Sequence, residues 1–188
     1  MGRLGTETAF EVLARARALE AQGRHIVHLE IGEPDFDTPR SVTAAGISAI
    51  ERGETHYTAS AGIPELREAI ADYLNRARGL TIDPSQVVVT PGAKPIMFYA
   101  ILALLESGDE AIFPDPGFPI YASMISFAGA TPVSLPLREA NDFVPDLDEL
   151  RRLVTPKTKL IILNSPHNPT GGLLSKEAIR EIARVARE

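Results

Sequence analysis

Cysteine is absent from the 188-residue sequence, and its absence removes several kinds of chemistry at once. Disulfide bridges, thiolate nucleophiles and cysteine-based zinc sites are all excluded. A chain that uses no cysteine suits the reducing interior of a cell, so we expect a cytoplasmic protein.

Basic residues are also in short supply. The sequence has 19 Lys and Arg residues against 25 Asp and Glu residues, which gives a formal net charge of -6. Proteins bind nucleic acids and anionic membrane surfaces through basic patches. Neither is therefore an expected partner.

Long apolar segments and targeting sequences are missing as well. The longest apolar run, residues 96–105, is about half of a membrane span and predicts a buried helix. Transit peptides are poor in acidic residues, whereas the N-terminal region carries Glu7, Glu11 and Glu20. The opening MGRLGT fits a myristoylation pattern, but this pattern is loose and no other feature indicates a membrane.

Two familiar phosphate-binding motifs are not present. No G-x-G-x-x-G follows the first predicted strand, and the sequence contains no G-x-x-x-x-G-K-[ST]. What the sequence does have is ordinary globular composition, with 44% hydrophobic and 23% charged residues. The chain is long enough for a domain with a sizeable core.

Apolar segments alternate with amphipathic ones along the chain. Thr38 with Pro39, Asp146 with Glu149, and Ser175 mark three of the helix starts by their capping chemistry. Seven helices are predicted. Three have both bounds: about 7–22, 39–51 and 94–107. Of the others, one begins at 64, one ends at about 128, one ends at 154 and one begins after 175. The predicted strands are 25–31, 87–90, 110–114, 131–137 and 159–164.

Short apolar strands between helices predict an α/β fold, a three-layer αβα sandwich with a mainly parallel sheet. The prolines of 131–137 indicate an edge strand. Right-handed crossovers place the loops after 87–90, 110–114 and 159–164 at one end of the sheet, where ligands bind in open α/β folds. The last helix lacks a terminating Gly, Asn or Pro, so we expect a truncated chain.

The first of these loops, TPGAKP (90–95), leads into a helix N-terminus. Free backbone N–H groups at Gly92, Ala93 and Lys94, together with the positive end of the helix dipole, suit a phosphate group. Glycine at position 92 lets an anion approach the backbone closely. The alternative is a plain strand-to-helix turn.

The other two loops, DPGFPIY (115–121) and NSPHNPTGG (164–172), carry an aromatic ring and an amide. Phe118 can present a flat face to a ring-shaped ligand, or it can simply cap the core. The prolines of the second loop can aim the Asn168 amide at a ligand. His167 is a candidate base or metal ligand by residue type. No carboxylate pairs with it by spacing, however, so we expect a solvated side chain.

Six segments stand in order along the chain: IGEPDFDTP (31–39), HYTASAGIPELREAI (56–70), VVVTPGAKP (87–95), ESGDEAIFPDPGFPIY (106–121), FAGA (127–130) and TKLIILNSPHNPTGG (158–172). Taken together, they resemble the fold-type I, pyridoxal-phosphate-dependent aminotransferases of class I and II. The resemblance covers nearly the whole chain with the family's spacing. It is closest to the aspartate, aromatic and alanine aminotransferase branch.

The resemblance implies a binding site for pyridoxal 5'-phosphate. The backbone N–H groups of Gly92, Ala93 and Lys94 match the turn that holds the cofactor phosphate. Phe118 matches the aromatic that stacks on the pyridine ring, where many relatives carry Trp or Tyr. Asn168 matches the asparagine that donates a hydrogen bond to the phenolic oxygen.

Substrate and subunit contacts are implied in the same way. Gly32 matches the glycine whose backbone approaches the substrate carboxylate, and Phe118 and Asn168 also border the substrate. Tyr57 matches the tyrosine that reaches the phosphate of the neighbouring subunit, which implies a homodimer. The bond between Asn168 and Pro169 is implied to be cis.

The implied activity is transfer of an amino group between an amino acid and a 2-oxo acid in biosynthesis. Residues 1–45 would form an N-terminal arm and small-domain segment, and residues 46–188 the first part of the large cofactor-binding domain. The family's Schiff-base lysine, pyridinium aspartate and carboxylate-binding arginine would lie beyond Glu188. We therefore expect no catalytic residue in this chain, no activity from it alone, and weak or absent cofactor binding.

Two alternatives remain open. Lyases, decarboxylases and synthases of the same fold share these motifs and use the same cofactor. A non-catalytic ligand sensor, as in transcription regulators with an aminotransferase-like domain, is a candidate from another class. No metal site is expected in any of these proteins.

Overall fold

The computed structural model describes residues 8–188, which divide into two compact units, residues 9–92 and residues 93–188. The myristoylation-like pattern and the start of the predicted N-terminal helix lie outside the described residues. Over the described part of the chain, no helix is both long and apolar enough to cross a membrane.

Residues 9–92 are built mainly from helices. Their elements are α1 (Thr8–Glu20), α2 (Arg40–Glu51), α3 (Pro64–Arg78) and a short 3-10 turn (Pro84–Gln86). All three helices match the sequence prediction, but the predicted cap at Thr38 is wrong. The N-cap of α2 is Pro39, and no side chain bonds to the free N–H groups there.

The predicted strand at 25–31 is wrong, because this segment joins no sheet in the described chain. Side chains hold it instead. The His28 ring lies 2.9 Å from a Glu20 carboxylate oxygen and 2.6 Å from one of Glu30. The hydrogen bond to the Glu30 carboxylate and, second, the one to the Glu20 carboxylate raise the pKa of His28.

The predicted strand at 87–90 is wrong for a related reason, since its backbone groups bond to α3 and a loop rather than to a strand. Arg67 donates to the Val87 carbonyl at 2.9 Å and to the Pro84 carbonyl at 2.8 Å. The Val89 N–H donates to the Ala61 carbonyl at 2.9 Å. Scattered bonds of this kind fix an extended segment without forming a ladder.

Residues 93–188 contain a parallel sheet and four helices. The elements are α4 (Ala93–Leu104), β1 (Glu110–Asp115), α5 (Ile120–Phe127), β2 (Thr131–Pro136), α6 (Leu147–Leu153), β3 (Thr158–Ile161) and α7 (Lys176–Val185). The strand order is β2-β1-β3, with both pairs parallel. The central strand runs in register with β2 from Glu110 opposite Thr131 to Asp115 opposite Pro136. The prediction that the proline-bearing strand lies at an edge is confirmed.

Successive side chains of β1 pack into two separate hydrophobic cores, one on each face of the sheet. Ala111 packs with Ile101 of α4 and Ile125 of α5. The next residue, Ile112, packs in a cluster on the opposite face. That second cluster also contains Leu135, Leu150 and Ile182, from β2, α6 and α7. Because neighbouring strand residues point to opposite faces, both faces are covered by helices. The predicted α/β fold with a parallel sheet between helix layers is confirmed.

Two predicted caps of the later helices have different outcomes. The Ser175 hydroxyl accepts from the Ala178 N–H at 3.0 Å, as predicted for α7. Asp146 caps α6, but Glu149 does not return a bond to complete the capping box. Glu149 instead accepts from Arg138 at 2.5 and 3.1 Å.

Glu181 links α6 to α7, because it accepts hydrogen bonds from both Arg184 and Arg151. These bonds lower its pKa from 4.5 to about 2. A lowered pKa contributes stability above pH 4.5 that is lost as the pH falls towards 2. Glu181→Gln should therefore lower the melting temperature by about 2 °C at pH 7.

The difference between Glu181→Gln and wild type should shrink through the window from pH 4.5 to 2. Circular dichroism melts at pH 7, 4 and 2.5 measure it, with exposed Glu139→Gln as the control. An equal loss at pH 7 and pH 2.5 would show that the ion pair is not the cause.

Candidate functional site

Two of the predicted ligand loops lie at the same end of the sheet. Strands β1 and β3 are parallel neighbours, so their C-terminal ends lie side by side. The loop DPGFP follows β1 and the turn NSPHNPTGG follows β3. The third predicted loop, TPGAKP, follows an extended segment rather than a strand, but it does lead into α4 as predicted.

The DPGFP loop holds Phe118 half-buried, with a ring on one side and a cation on the other. Phe118 meets Tyr121 edge-on, with ring centroids 6.1 Å apart. The Lys94 Nζ atom lies 5.7 Å from the Phe118 centroid, within the range of a cation–π contact. The structure thus brings Lys94 to Phe118, as the ligand-site prediction requires.

The N-terminus of α4 carries the predicted anion-binding turn. Gly92 has a φ of +93°, and a Cβ built on it would meet no atom within 4 Å. Thr90 folds back on this turn, accepting the Gly92 N–H at its carbonyl oxygen and donating from its hydroxyl to the Gly92 carbonyl. Ala93 and Lys94 open the helix and are exposed, so the first turn of α4 faces open space.

The turn after β3 presents Asn168 to solvent. Its backbone N–H donates to the Asn164 side-chain oxygen at 2.7 Å, while its own side chain is exposed. The Asn168–Pro169 peptide bond is cis, as the resemblance implied. The turn therefore fixes the Asn168 backbone and leaves the amide available for a ligand.

The remaining predicted site residues, Gly32 and Tyr57, belong to residues 9–92. Both are exposed, and Tyr57 has its whole side chain in solvent. An aromatic side chain so fully exposed can make contact with another molecule without any rearrangement of its own unit.

The expectation that His167 is a solvated loop residue is wrong. Its side chain is 5% exposed, and its Nδ1 lies 2.8 Å from the Thr170 hydroxyl oxygen. The Nε2 atom is buried without a hydrogen-bond partner. Burial lowers the pKa of His167 below 6.5.

Asn164 is the second residue of this turn that the sequence analysis missed. A signal for it was available, because a short polar side chain at the end of a strand often bonds to backbone groups a few residues ahead. No comparable signal exists for His167, which borders a cavity together with residues of β1, β2 and the 143–145 segment, far from it in the sequence.

Comparison with known proteins gives a consistent family. Residues 24–188 match the sequence profile described as Aminotransferase class I and II. The aspartate aminotransferase of Pyrococcus horikoshii is 44% identical over 178 residues, which cover 95% of this chain and 44% of that protein. The aspartate/prephenate aminotransferase of Thermus thermophilus is 44% identical over 177 residues, 94% of this chain and 46% of that protein.

Solved structures agree with the sequence comparison. An aspartate aminotransferase from Thermus thermophilus with maleate superposes with a TM-score of 0.93 at 41% identity, covering 98% of this chain and 48% of that one. An alanine aminotransferase from Pyrococcus furiosus gives a TM-score of 0.91 at 36% identity, covering 97% and 47%. The chain spans less than half the length of each of these relatives. The profile match over most of its length shows that the chain belongs to the class I and II aminotransferases.

Proposed function

We propose that this chain forms the part of an aminotransferase that binds the phosphate and one ring face of pyridoxal 5'-phosphate. The protein would transfer an amino group between an amino acid and a 2-oxo acid, in biosynthesis and in the cytoplasm. The family match over residues 24–188 carries the proposal. The bound cofactor supplies the electron sink that lets an amino group move between two carbon skeletons.

The helix N-terminus fits a phosphate dianion by its chemistry. The first backbone N–H groups of a helix have no partner within it, and the helix dipole adds positive potential there. The open space beside Gly92 lets an oxygen approach the backbone, and the Lys94 ammonium is close by in the chain. The N–H groups of Ala93 and Lys94 would hold the phosphate group. The Gly92 N–H was expected to be free, but it donates to the Thr90 carbonyl, so Gly92 would contribute only room for the approaching oxygen.

Phe118 and Asn168 fit the ring of the same cofactor. Phe118 offers an aromatic face at the carboxyl edge of the sheet, with Tyr121 limiting its movement from the side. The exposed Asn168 amide can donate to a phenolate oxygen and stabilise its negative charge. Gly32 would approach the substrate carboxylate, and Tyr57 would reach the phosphate of a second copy in a homodimer.

Proton transfer requires a group that none of the described lysines supplies. Lys94 lies at the phosphate turn, and the others, Lys157, Lys159 and Lys176, lie on a loop, a strand and the start of α7. None stands in the S-x-x-K arrangement that this family uses. We therefore propose that residues 1–188 bind and orient the cofactor but do not turn over substrate alone.

An amino-transfer assay tests this function. With saturating pyridoxal phosphate, the 188-residue chain should form no glutamate from aspartate and 2-oxoglutarate, while the complete gene product should form it. Turnover by the 188-residue chain would contradict its proposed inactivity. If the complete product releases ammonia or carbon dioxide without amino transfer, a lyase or decarboxylase replaces the proposal. Binding without any reaction would indicate a sensor.

Asn168→Ala should weaken pyridoxal phosphate binding without unfolding the chain. A hydrogen bond to a charged oxygen is worth about 1.5–3 kcal/mol, so the Kd should rise roughly tenfold or more. Equilibrium dialysis against the cofactor measures the change in the complete gene product. Asn141→Ala, another exposed asparagine outside the site, is the matched control. Equal Kd values for the two variants would remove Asn168 from the site.

A further inference from the structure

The turn that carries Asn168 is organised around the residue before it. The His167 backbone N–H donates to the Gly172 carbonyl at 2.8 Å, and the His167 carbonyl accepts from the Gly171 N–H at 2.7 Å. Both backbone groups of His167 are thus bonded across the turn to the two glycines that close it.

The His167 ring adds a third connection to the same turn. Its Nδ1 lies 2.8 Å from the Thr170 hydroxyl oxygen, which also accepts the Gly172 N–H at 3.3 Å. Asn168 and Pro169, which lie between these partners, are exposed. The exposed tip of the turn is therefore flanked by residues that bond to the buried His167.

The cavity beside the His167 ring carries no charge. His167 borders a small cavity lined mainly by apolar residues from β1, β2, the 143–145 segment and the chain after β3. No charged or other titratable residue lines that cavity, and the only polar side chain besides His167 is that of Asn164. The Nε2 atom has no hydrogen-bond partner there.

These surroundings select one form of the ring. A buried N–H without an acceptor is less well tolerated than a buried lone pair without a donor. The proton of the neutral imidazole therefore belongs on Nδ1, where Thr170 accepts it, and the buried Nε2 keeps its lone pair. A second proton would place an unpaired N–H and a charge among apolar side chains.

We propose that His167, neutral and protonated at Nδ1, is the positioning residue that holds the Asn168 turn in its binding conformation, and that protonation of the ring releases the turn. The first part concerns the fold, and the second rests on the proposed role of Asn168 in cofactor binding. Burial lowers the pKa of His167, and no charged neighbour contributes to the shift. The neutral ring thus supports the turn at neutral pH, and its contribution is lost as the pH falls through the lowered pKa.

The first experiment needs no cofactor. Long-range proton–nitrogen NMR of the 188-residue chain should show the Nδ1-protonated tautomer of His167, titrating below pH 6.5. The Gly171 and Gly172 amide shifts should follow the same titration. A ring protonated at Nε2, or a pKa at or above 6.5, would overturn the proposal.

Two pairs of variants separate the hydrogen bond from packing. His167→Phe keeps a ring of similar size, and Thr170→Val keeps the shape of threonine, yet both remove the hydrogen bond between these residues. His167→Phe should speed hydrogen exchange at Gly171 and Gly172 about fivefold. Thr170→Val should do so at Gly171, which is the amide to compare, because this variant also removes the acceptor of the Gly172 N–H itself. Thr170→Ser retains the hydroxyl and should exchange like wild type, as should His25→Phe at an exposed histidine. Unchanged exchange in Thr170→Val would contradict the positioning role, even if His167→Phe fails to fold.

Cofactor dialysis on the complete gene product then tests the link to Asn168. Thr170→Val should raise the Kd for pyridoxal phosphate about fivefold, and Thr170→Ser should leave it unchanged. If Thr170→Val speeds hydrogen exchange but leaves the Kd for pyridoxal phosphate unchanged, the proposal that His167 positions Asn168 for cofactor binding is overturned. If wild type binds no pyridoxal phosphate, the proposed function fails, while tautomer and exchange still decide whether His167 holds the turn.

Discussion

Gly117→Ala is expected to disrupt the DPGFP loop and to lower the melting temperature by about 6–12 °C. A Cβ at position 117 would lie 2.1 Å from the Pro114 carbonyl oxygen and 3.2 Å from its carbon. These are backbone atoms at the end of β1, so no side-chain rotation can relieve the overlap. The loop or the strand end must move, at a cost of about 3 kcal/mol.

The same substitution should also weaken pyridoxal phosphate binding, because Phe118 follows directly in the loop. Thermal melts of the 188-residue chain measure the first effect, and cofactor dialysis of the complete gene product measures the second. Gly46→Ala is the control, since a Cβ there meets nothing within 4 Å and alanine favours the interior of α2. A melting temperature for Gly117→Ala within 2 °C of wild type would mean that the loop lies farther from Pro114 than the structure shows.

Ile112→Ala is expected to destabilise the sheet by about 3 kcal/mol. Ile112 is 0% exposed on the central strand and packs with Leu135, Leu150 and Ile182. Four elements therefore meet at this side chain, and the strands on both sides leave little freedom for the cavity to collapse. Urea unfolding should show a lower midpoint with an unchanged slope.

Ile96→Ala provides a matched control for the Ile112 substitution. Ile96 lies on α4 with 53% of its surface exposed, so the same atoms are removed from a site that buries little. Its free energy of unfolding should change by less than about 0.5 kcal/mol. Equal losses for the two variants would show that the second core does not depend on Ile112.

The helices and the central sheet could be predicted from local patterns. Pro64 at the start of α3 and Ser175 before α7 act within one turn of their own position, so the sequence carries the signal. The structure also places the predicted loop residues Lys94 and Phe118 close together, with Lys94 Nζ 5.7 Å from the Phe118 ring centroid. Their role in binding a ligand stays a prediction.

Partner-dependent features could not be predicted in this way. The segments 25–31 and 87–90 have the apolar composition of strands, but a strand exists only where another strand offers a ladder. The Val87 carbonyl accepts a hydrogen bond from the Arg67 side chain, not from a neighbouring strand. Glu149 fits a capping box, yet Arg138, which lies 11 residues earlier and outside α6, binds its carboxylate instead.

The sequence by itself determined the family and the helices and strands of residues 93–188, because these follow from motif order and apolar periodicity along the chain. Only the tertiary structure decided the state of His167. Its side chain is buried and borders a cavity that residues from β1, β2 and the 143–145 segment also line, and no local pattern connects those residues to position 167. Burial and hydrogen bonding depend on neighbours in space, and they turn a histidine expected in solvent into the support of the Asn168 turn.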